Sequence, residues 1–257
     1  MFGDKIYCGL DVGAQKIKAA FLRVKENKEI EVFATAETRT RGFKESSVSD
    51  LGEFSDCILS VIDPVVKKND LKLKEVHLGI NGELVDSRDI NTVIPLVDKG
   101  SKVIGQRDLK KVNEQARLLG IKMEEEILHE LPQYYKVDDV NMALNPIGLF
   151  GRKLGVHSIM VVTGVNRVRN INKAINQAGF DVGGLAFGSF AASHVSLTEQ
   201  EKLEGSILVD IGSRVTSILI FKGGVLKFLS HIQIGGNHFT QAIAQKLNVT
   251  FDFAEDI

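Results

Sequence analysis

Two cysteines, four prolines and no long apolar run set the first limits on this 257-residue sequence. Cys8 and Cys57 lie far apart and fit neither a CxxC pair nor a zinc-ligand spacing, so buried, reduced thiols and a reducing cytoplasm are expected. The prolines are scattered and no Ser/Gly tract occurs, which argues against a disordered linker. The opening MFGDKIYCGL lacks a basic region followed by an apolar one, and nowhere do apolar residues run for the ~18 positions of a spanning helix, so neither a signal peptide nor a transmembrane span is expected. Charge of one sign is lacking too: the formal net charge is -1, with no general pull toward nucleic acid, and no nucleic-acid partner is expected. What remains, 44% apolar and 25% charged, can bury one large core or two modest ones.

The chain repeats itself. GLDVGAQKIKAAFL (residues 9–22) and LVDIGSRVTSILIF (208–221) share one grammar, in which an apolar strand enters an Asp-x-Gly turn and a second apolar strand leaves it. Asp210 follows Asp11 by 199 positions, and the same offset pairs Gly13 with Gly212, Ala14 with Ser213 and Gln15 with Arg214. A third strand then reads in EIEVFATAETR (29–39) and in VLKFLSHIQIG (225–235). Each is followed by a helix: 48–69, with Leu51, Phe54, Ile58, Ile62 and Val65 at helical spacing, and 238–248, with Phe239, Ile243 and Leu247 on one face.

The first copy continues with a strand at 74–80, a helix at 166–180 that turns Val168, Ile171, Ile175 and Ala178 inward and stops at Gly179, a strand GGLAF and a last helix GSFAASHVSL. Residues 82–165 interrupt it with three strand-like stretches and a helix QRDLKKVNEQARLLG that directs Leu109, Val112, Ala116 and Leu119 inward. Leu149 and Phe150 read as core of this insert, and the charged run KKNDLKLKE as a solvated helix end. The expected fold is therefore α/β and duplicated, with an inserted α+β subdomain. The divisions are 1–81 with 166–204, 82–165 and 205–257. The second half ends at FAEDI, after its first helix, so a fragment or a shortened relative is expected.

Opposed Asp-x-Gly turns with inward backbone N–H groups can bracket a polyphosphate, with Asp11 and Asp210 orienting water around a Mg²⁺. Lys16 is placed to neutralise a terminal phosphate, and Gly235 and Gly236 precede a helix whose N-terminus favours an anion. His77, His129, His157, His194, His231 and His238 form no metal-ligand spacing, and no Ser/His/Asp or Cys/His arrangement emerges.

With these motifs placed, the chain resembles the FtsA family of actin-like bacterial division proteins. GLDVGAQKIKAA resembles the family's first phosphate motif and LVDIGSRVTSILIF its second. ILHELPQYYKVDD with NPIGLFGRKLGVHSIMVVTG resembles its inserted subdomain, and IQIGGNHFTQAIAQKLNVTFDFAEDI the continuation of the second half. PilM of pilus assembly is the nearest rival, with a similar Gly-Gly-Asn segment.

The resemblance implies an actin-like, ribonuclease H-like fold and ATP with Mg²⁺ bound between two domains. It implies a phosphate site made of Asp11, Gly13, Ala14, Gln15, Lys16, Asp210, Gly212, Ser213, Arg214, Thr216, Gly235 and Gly236. It further implies self-association into filaments, contacts with other division proteins through the insert, and linkage of FtsZ polymers to the inner face of the cytoplasmic membrane at the division site. It implies membrane attachment through a C-terminal helix, which is not expected within these residues. One departure stands out: where the family has a run of glycines followed by Thr-Thr-Asp, this sequence has Ser213, Arg214, Val215, Thr216 and Ser217. Either Arg214 reaches phosphate from the side, or the cleft is a relic with Arg214 salt-bridged across it. Slow or no hydrolysis is expected, since no base can be assigned. The alternatives are a PilM-like adapter, a nucleotide-free scaffold and a small-molecule kinase.

Overall fold

The computed structural model describes residues 4–44, 46–138 and 141–257, with the side chain of Asn141 left out. Residues 1–3 of the first domain and Asp139, which ends the ILHELPQYYKVDD stretch, lie outside the described residues.

Three antiparallel strands open the chain, β1 (Lys5–Val12), β2 (Lys16–Val24) and β3 (Ile30–Arg39). Alternation puts Cys8, Leu10 and Val12 of β1 and Ile17, Ala19 and Phe21 of β2 on one buried face. A small hairpin, β4 (Phe43–Lys44) and β5 (Ser47–Val48), precedes helix α1 (Leu51–Lys68). Val48, expected to begin the helix, is instead paired with Phe43, and the helix starts after Asp50, whose carboxylate accepts from the Glu53 N–H at 2.9 Å. The face of α1 carrying Phe54, Ile58, Val61 and Ile62 closes the core over this sheet.

Strand β6 (Glu75–Ile80) lies parallel to β1 and leads through a short 3-10 turn, Gly82–Leu84, into the insert. There β7 (Val85–Pro95), β8 (Lys102–Val103), α2 (Gln106–Gly120), β9 (Glu125–Val137), β10 (Asn141–Ala143), β11 (Phe150–Gly151) and β12 (Lys153–Gly164) follow in order. The insert sheet runs β10-β9-β12-β7, and its own core joins Val112 and Ala116 of α2 to Tyr135, Leu154, Val156 and Met160. Three expectations fail here. Leu119 is 60% exposed because α2 buries Gly120 against Ile90 and Met160 instead, and Leu149 and Phe150 are 41% and 68% exposed on a loop pinned to Ile104 by backbone hydrogen bonds.

The chain returns to the first unit with α3 (Val165–Gln177), which buries Val168, Ile171 and Ile175 beside α1, and β13 (Asp181–Phe187), which completes the sheet β13-β6-β1-β2-β3. Helix α4 (Gly188–Ser196) and the short α5 (Glu199–Glu204) carry it into the second unit. This has β14 (Ser206–Ile211), β15 (Thr216–Lys222), β16 (Val225–Ile232), α6 (Gly236–Leu247) and α7 (Phe251–Glu255). Leu219, Phe221, Leu226 and Leu229 join the first unit's core, with Phe221 stacked on Phe190 of α4 at 6.5 Å. The expected face of α6 exists, but it faces solvent: Phe239, Ile243 and Leu247 are exposed while Thr240 and Ala244 are buried. Among the described residues no helix is long and apolar enough to cross a membrane.

Candidate functional site

The two turns are built alike, down to single hydrogen bonds. Gly13 N–H donates to Lys16 O, and Gly212 N–H donates to Val215 O, each at 3.0 Å. A Cβ on either glycine would lie within 3 Å of that same carbonyl, 2.8 Å at Gly13 and 2.9 Å at Gly212, so both turns require glycine in order to close. Strand register repeats as well, Asp11 standing opposite Lys18 and Asp210 opposite Ser217.

The turns share one cleft of about 320 Å³, walled by Asp11, Gly13, Ala14, Gln15 and Lys16 on one side and by Asp210, Gly212, Ser213 and Arg214 on the other. A polar bridge that no sequence motif announced spans it. Asn81 Nδ2 donates to Asp11 Oδ1 at 2.8 Å, while Asn81 Oδ1 accepts from the Ser189 backbone N–H at 3.1 Å. Ser189 Oγ–H donates in turn to Asp210 Oδ2 at 2.6 Å. Asn81 follows β6 and Ser189 sits in the first turn of α4, so the bridge forms only when those elements meet. Gly188 allows it, since a Cβ there would lie 2.4 Å from Asn81 Oδ1.

Burial pushes the Asp11 carboxyl above its ordinary range, against the opposing pull of Lys18 and the Asn81 hydrogen bond, and the Asp210 carboxylate adds to the rise. Two carboxylates that repel one another, flanked by an amide and a hydroxyl, are a hard-oxygen environment that a cation would relieve. Among the described residues no three of His, Cys, Asp and Glu gather to hold a metal ion. Asp11 and Asp210 thus fit a Mg²⁺ held through its own water.

Lys16 is spent in part on an ion pair with Glu37, at 2.6 Å and half exposed. Gln15 Nε2 donates to Glu255 Oε1 at 2.8 Å, tying the first turn to α7. Arg214 is exposed and its guanidinium has neither an ion pair nor a hydrogen bond among the described residues, so the salt bridge across the cleft expected of a relic is not formed. Thr216, Gly235 and Gly236 stand behind the wall. Thr216 Oγ–H donates to Ile234 O at 2.7 Å. A Cβ on Gly235 would lie 2.4 Å from Gly212 O and 2.8 Å from Arg214 N, so its close approach is to the second turn. The helix N-terminus expected to favour an anion is likewise turned inward, Gly236 N–H donating to Gly212 O at 2.9 Å and Asn237 N–H to Ser213 O at 2.8 Å.

Lys18, Glu83, Asn81 and Ser189 are the residues that sequence reasoning missed. Only Lys18 carried a signal, the strand alternation that places it beside Asp11. A wider hollow of about 870 Å³ opens off the cleft, sharing Asp11, Lys18, Asn81 and Asp210, and is otherwise lined chiefly by Gly, Ala and Leu of the first sheet and α4. Both Asp-x-Gly turns face the smaller space.

Comparison with known proteins converges on one family. Residues 79–162 match the family model "SHS2 domain inserted in FTSA", and residues 207–257 match "Cell division protein FtsA". Cell division protein FtsA of Borreliella burgdorferi is 28% identical over 249 residues, 97% of this chain and 60% of that protein. FtsA of Pseudomonas aeruginosa is 28% identical over 253 residues, 98% of this chain and again 60% of the other. This chain thus spans about 60% of the length of these curated relatives. Among solved structures, the PilM-PilN type IV pilus biogenesis complex is similar with a TM-score of 0.70 and 18% identity, covering 97% of this chain and 68% of that one. Ethanolamine utilization protein EutJ from Carboxydothermus hydrogenoformans follows at 0.57 and 14%, covering 98% and 60%. The resemblance read from the motifs holds, and the fold is the actin-like one.

Proposed function

We propose that this chain, FtsA-like in sequence and actin-like in fold, is the nucleotide-responsive part of a cell division protein that takes ATP with Mg²⁺ between its two Asp-x-Gly turns. The observation that carries the reading is the pair of turns facing one cleft with Arg214 unpaired at its wall. Backbone N–H groups and Arg214 would hold phosphate oxygens, and Asp11 and Asp210 would orient the hydration shell of the metal. ATP supplies the charge that draws the turns together. The Asn81–Ser189 bridge sets their spacing beforehand.

On this reading the protein assembles with itself and joins FtsZ polymers to the inner face of the cytoplasmic membrane, as the resemblance of its motifs implies; the relatives' name supports the division role. Hydrolysis is slow. Glu83 is the remaining carboxylate on the cleft wall, and it would have to position water if turnover occurs. One observation favours a second reading: the solved structure with a TM-score of 0.70 is a complex of PilM with PilN, which would make this chain an adapter whose partner binding ignores ATP.

Calorimetry of ATP with Mg²⁺ separates the two, on this chain and on a version extended to the stop codon of its gene. Arg214→Ala is expected to weaken binding by about tenfold to a hundredfold, the value of a charge-assisted hydrogen bond. Unchanged affinity would remove Arg214 from the site, and no binding by either form would leave the adapter. Co-sedimentation with FtsZ polymers, with and without ATP, tests the division role.

A further inference from the structure

The bridge across the cleft leaves each of its two carboxylates half engaged. Asp11 Oδ1 accepts from Asn81 Nδ2 at 2.8 Å and Asp210 Oδ2 accepts from the Ser189 hydroxyl at 2.6 Å, while Asp11 Oδ2 and Asp210 Oδ1 have no hydrogen bond among the described residues. One oxygen of each carboxylate is held and the other is open to the cleft's occupant.

Donor and acceptor chemistry fixes which oxygen is which. Asn81 fits only one way round: turned over, its carbonyl would face the Asp11 carboxylate and its NH₂ the Ser189 N–H, which now donates to Asn81 Oδ1 at 3.1 Å. Ser189 is fully buried and carries a single O–H. Its Oγ stands 2.6 Å from Asp210 Oδ2 and 3.5 Å from Asn81 Oδ1, so the proton goes to the carboxylate. The Asn81 amide also fills the space that a Cβ on Gly188 would take, 2.4 Å from its Oδ1 and 2.6 Å from its Nδ2, which packs it against the start of α4.

This arrangement bears on which cation the carboxylates accept. Ca²⁺ gathers roughly six to eight oxygens in flexible geometry and often takes both oxygens of a carboxylate, whereas Mg²⁺ demands an octahedron and gives up its water reluctantly. A carboxylate with one oxygen committed to a buried hydrogen bond cannot become bidentate without orphaning the donor. Through its free oxygen it can still accept a hydrogen bond from metal-bound water.

We infer that Asn81 and Ser189 are positioning residues that set the ion preference of this site: by holding one oxygen of Asp11 and one of Asp210, they admit a cation that keeps its water, Mg²⁺, and disfavour one that takes carboxylates directly, Ca²⁺. The inference rests on the proposed site for ATP with Mg²⁺ and adds to it two residues outside both turns. Asn81 comes from the end of β6 and Ser189 from the first turn of α4, so selectivity is a property of how those elements meet.

Calorimetry of ATP with Mg²⁺, with Ca²⁺ and with EDTA tests it, on this chain and on the version extended to the stop codon of its gene. The quantity read is the affinity gained from Mg²⁺ divided by that gained from Ca²⁺, each referred to the same variant in EDTA. The wild type should favour Mg²⁺. Ser189→Ala should shrink the ratio by about tenfold, as loss of a group that orients a metal-binding carboxylate does. Asn81→Ala should do the same at Asp11; should that variant fail to fold, Ser189→Ala, which removes a single oxygen, still decides. Ser189→Thr keeps the hydroxyl and should keep the wild-type ratio. A merely structural role would lower both gains together and leave the ratio unchanged. That result, an equal loss of the ratio in Ser189→Thr, or a wild type that binds ATP with no preference for Mg²⁺ overturns the inference and leaves the nucleotide site standing. Absence of ATP binding with either ion overturns both.

Discussion

The turn at Asp11 and the turn at Asp210 are one design in two settings. Their closing hydrogen bonds, their obligatory glycines and their strand register coincide at a constant offset. What surrounds them does not. The first turn is braced by Thr40, whose Oγ–H donates to Gly13 O at 2.8 Å and whose N–H donates to Gln15 O at 2.9 Å. The second is braced by the N-terminus of α6 seated on Gly212 and Ser213. Opposite Asp11 stands a cation, Lys18; opposite Asp210 stands Ser217, tied to His231 Nδ1 at 3.0 Å. Duplication preserved the backbone device, and the two copies diverged in the groups that support it.

The largest effect should come from the brace with no slack. Strand register, Thr216 facing Ile232 as Ile17 faces Thr38, makes Arg41 the counterpart of Gly235, and the first turn accepts a long exposed side chain there. In the second turn a Cβ at 235 would meet only backbone: Gly212 O at 2.4 Å, Ser213 C at 2.7 Å and Arg214 N at 2.8 Å. Gly235→Ala is expected to cost on the order of 3 kcal/mol or displace the turn, and Arg41→Ala about 1 kcal/mol at most. Denaturant titration of both variants checks this. Equal losses would mean that the two turns are braced equivalently.

Much of this architecture was legible because it follows from local rules. Alternation gave the strands around both turns, helical spacing gave α1 and α3, and Gly179, with its φ of 94°, marks the end of α3 as a glycine after a helix should. What was not legible depends on neighbours far along the chain. Asn81 and Ser189 are separated by 108 positions and gain meaning only when β6 and α4 meet over Asp11 and Asp210. Periodicity located the apolar face of α6 but could not say whether anything covers it. Leu119 and Phe150 misled for the same reason: an apolar side chain says that it can be buried, and the packing decides whether it is.

The second prediction sharpens the contrast through pH. Burial holds the His231 imidazole below its ordinary range, with Asp86 pulling the other way, and Phe187 packs against its ring edge at 5.8 Å. A histidine that resists protonation in the folded state binds fewer protons there than when unfolded. Its contribution is complete above the unfolded value of about 6.5 and is lost as pH falls toward the lower folded value. Because His231 holds Ser217, acidification should loosen the second hairpin first. Amide hydrogen exchange should find protection falling in 206–222 while 5–24 is unchanged, and His231→Gln should abolish the difference. A uniform loss in both hairpins would put the acid sensitivity elsewhere.

The smallest effect belongs to the first turn, and its smallness is informative. Thr40→Val removes one hydroxyl bond to Gly13 O but keeps the branched shape and the backbone bond to Gln15 O. The net value of such a bond is about 1 kcal/mol, less if water replaces the hydroxyl at a turn that is only partly buried. Stability should therefore fall by about that much, measured as a shift in denaturant midpoint with an unchanged slope. If the first turn is preformed by its own Gly13–Lys16 bond and Thr40 only steadies it, affinity for ATP with Mg²⁺ should change less than threefold, roughly half a kcal/mol. A tenfold loss of affinity with little loss of stability would instead make Thr40 part of the positioning of ligand. The first turn would then depend on its brace as the second depends on α6, and the asymmetry between the two copies would lie in Lys18 and Ser217 alone.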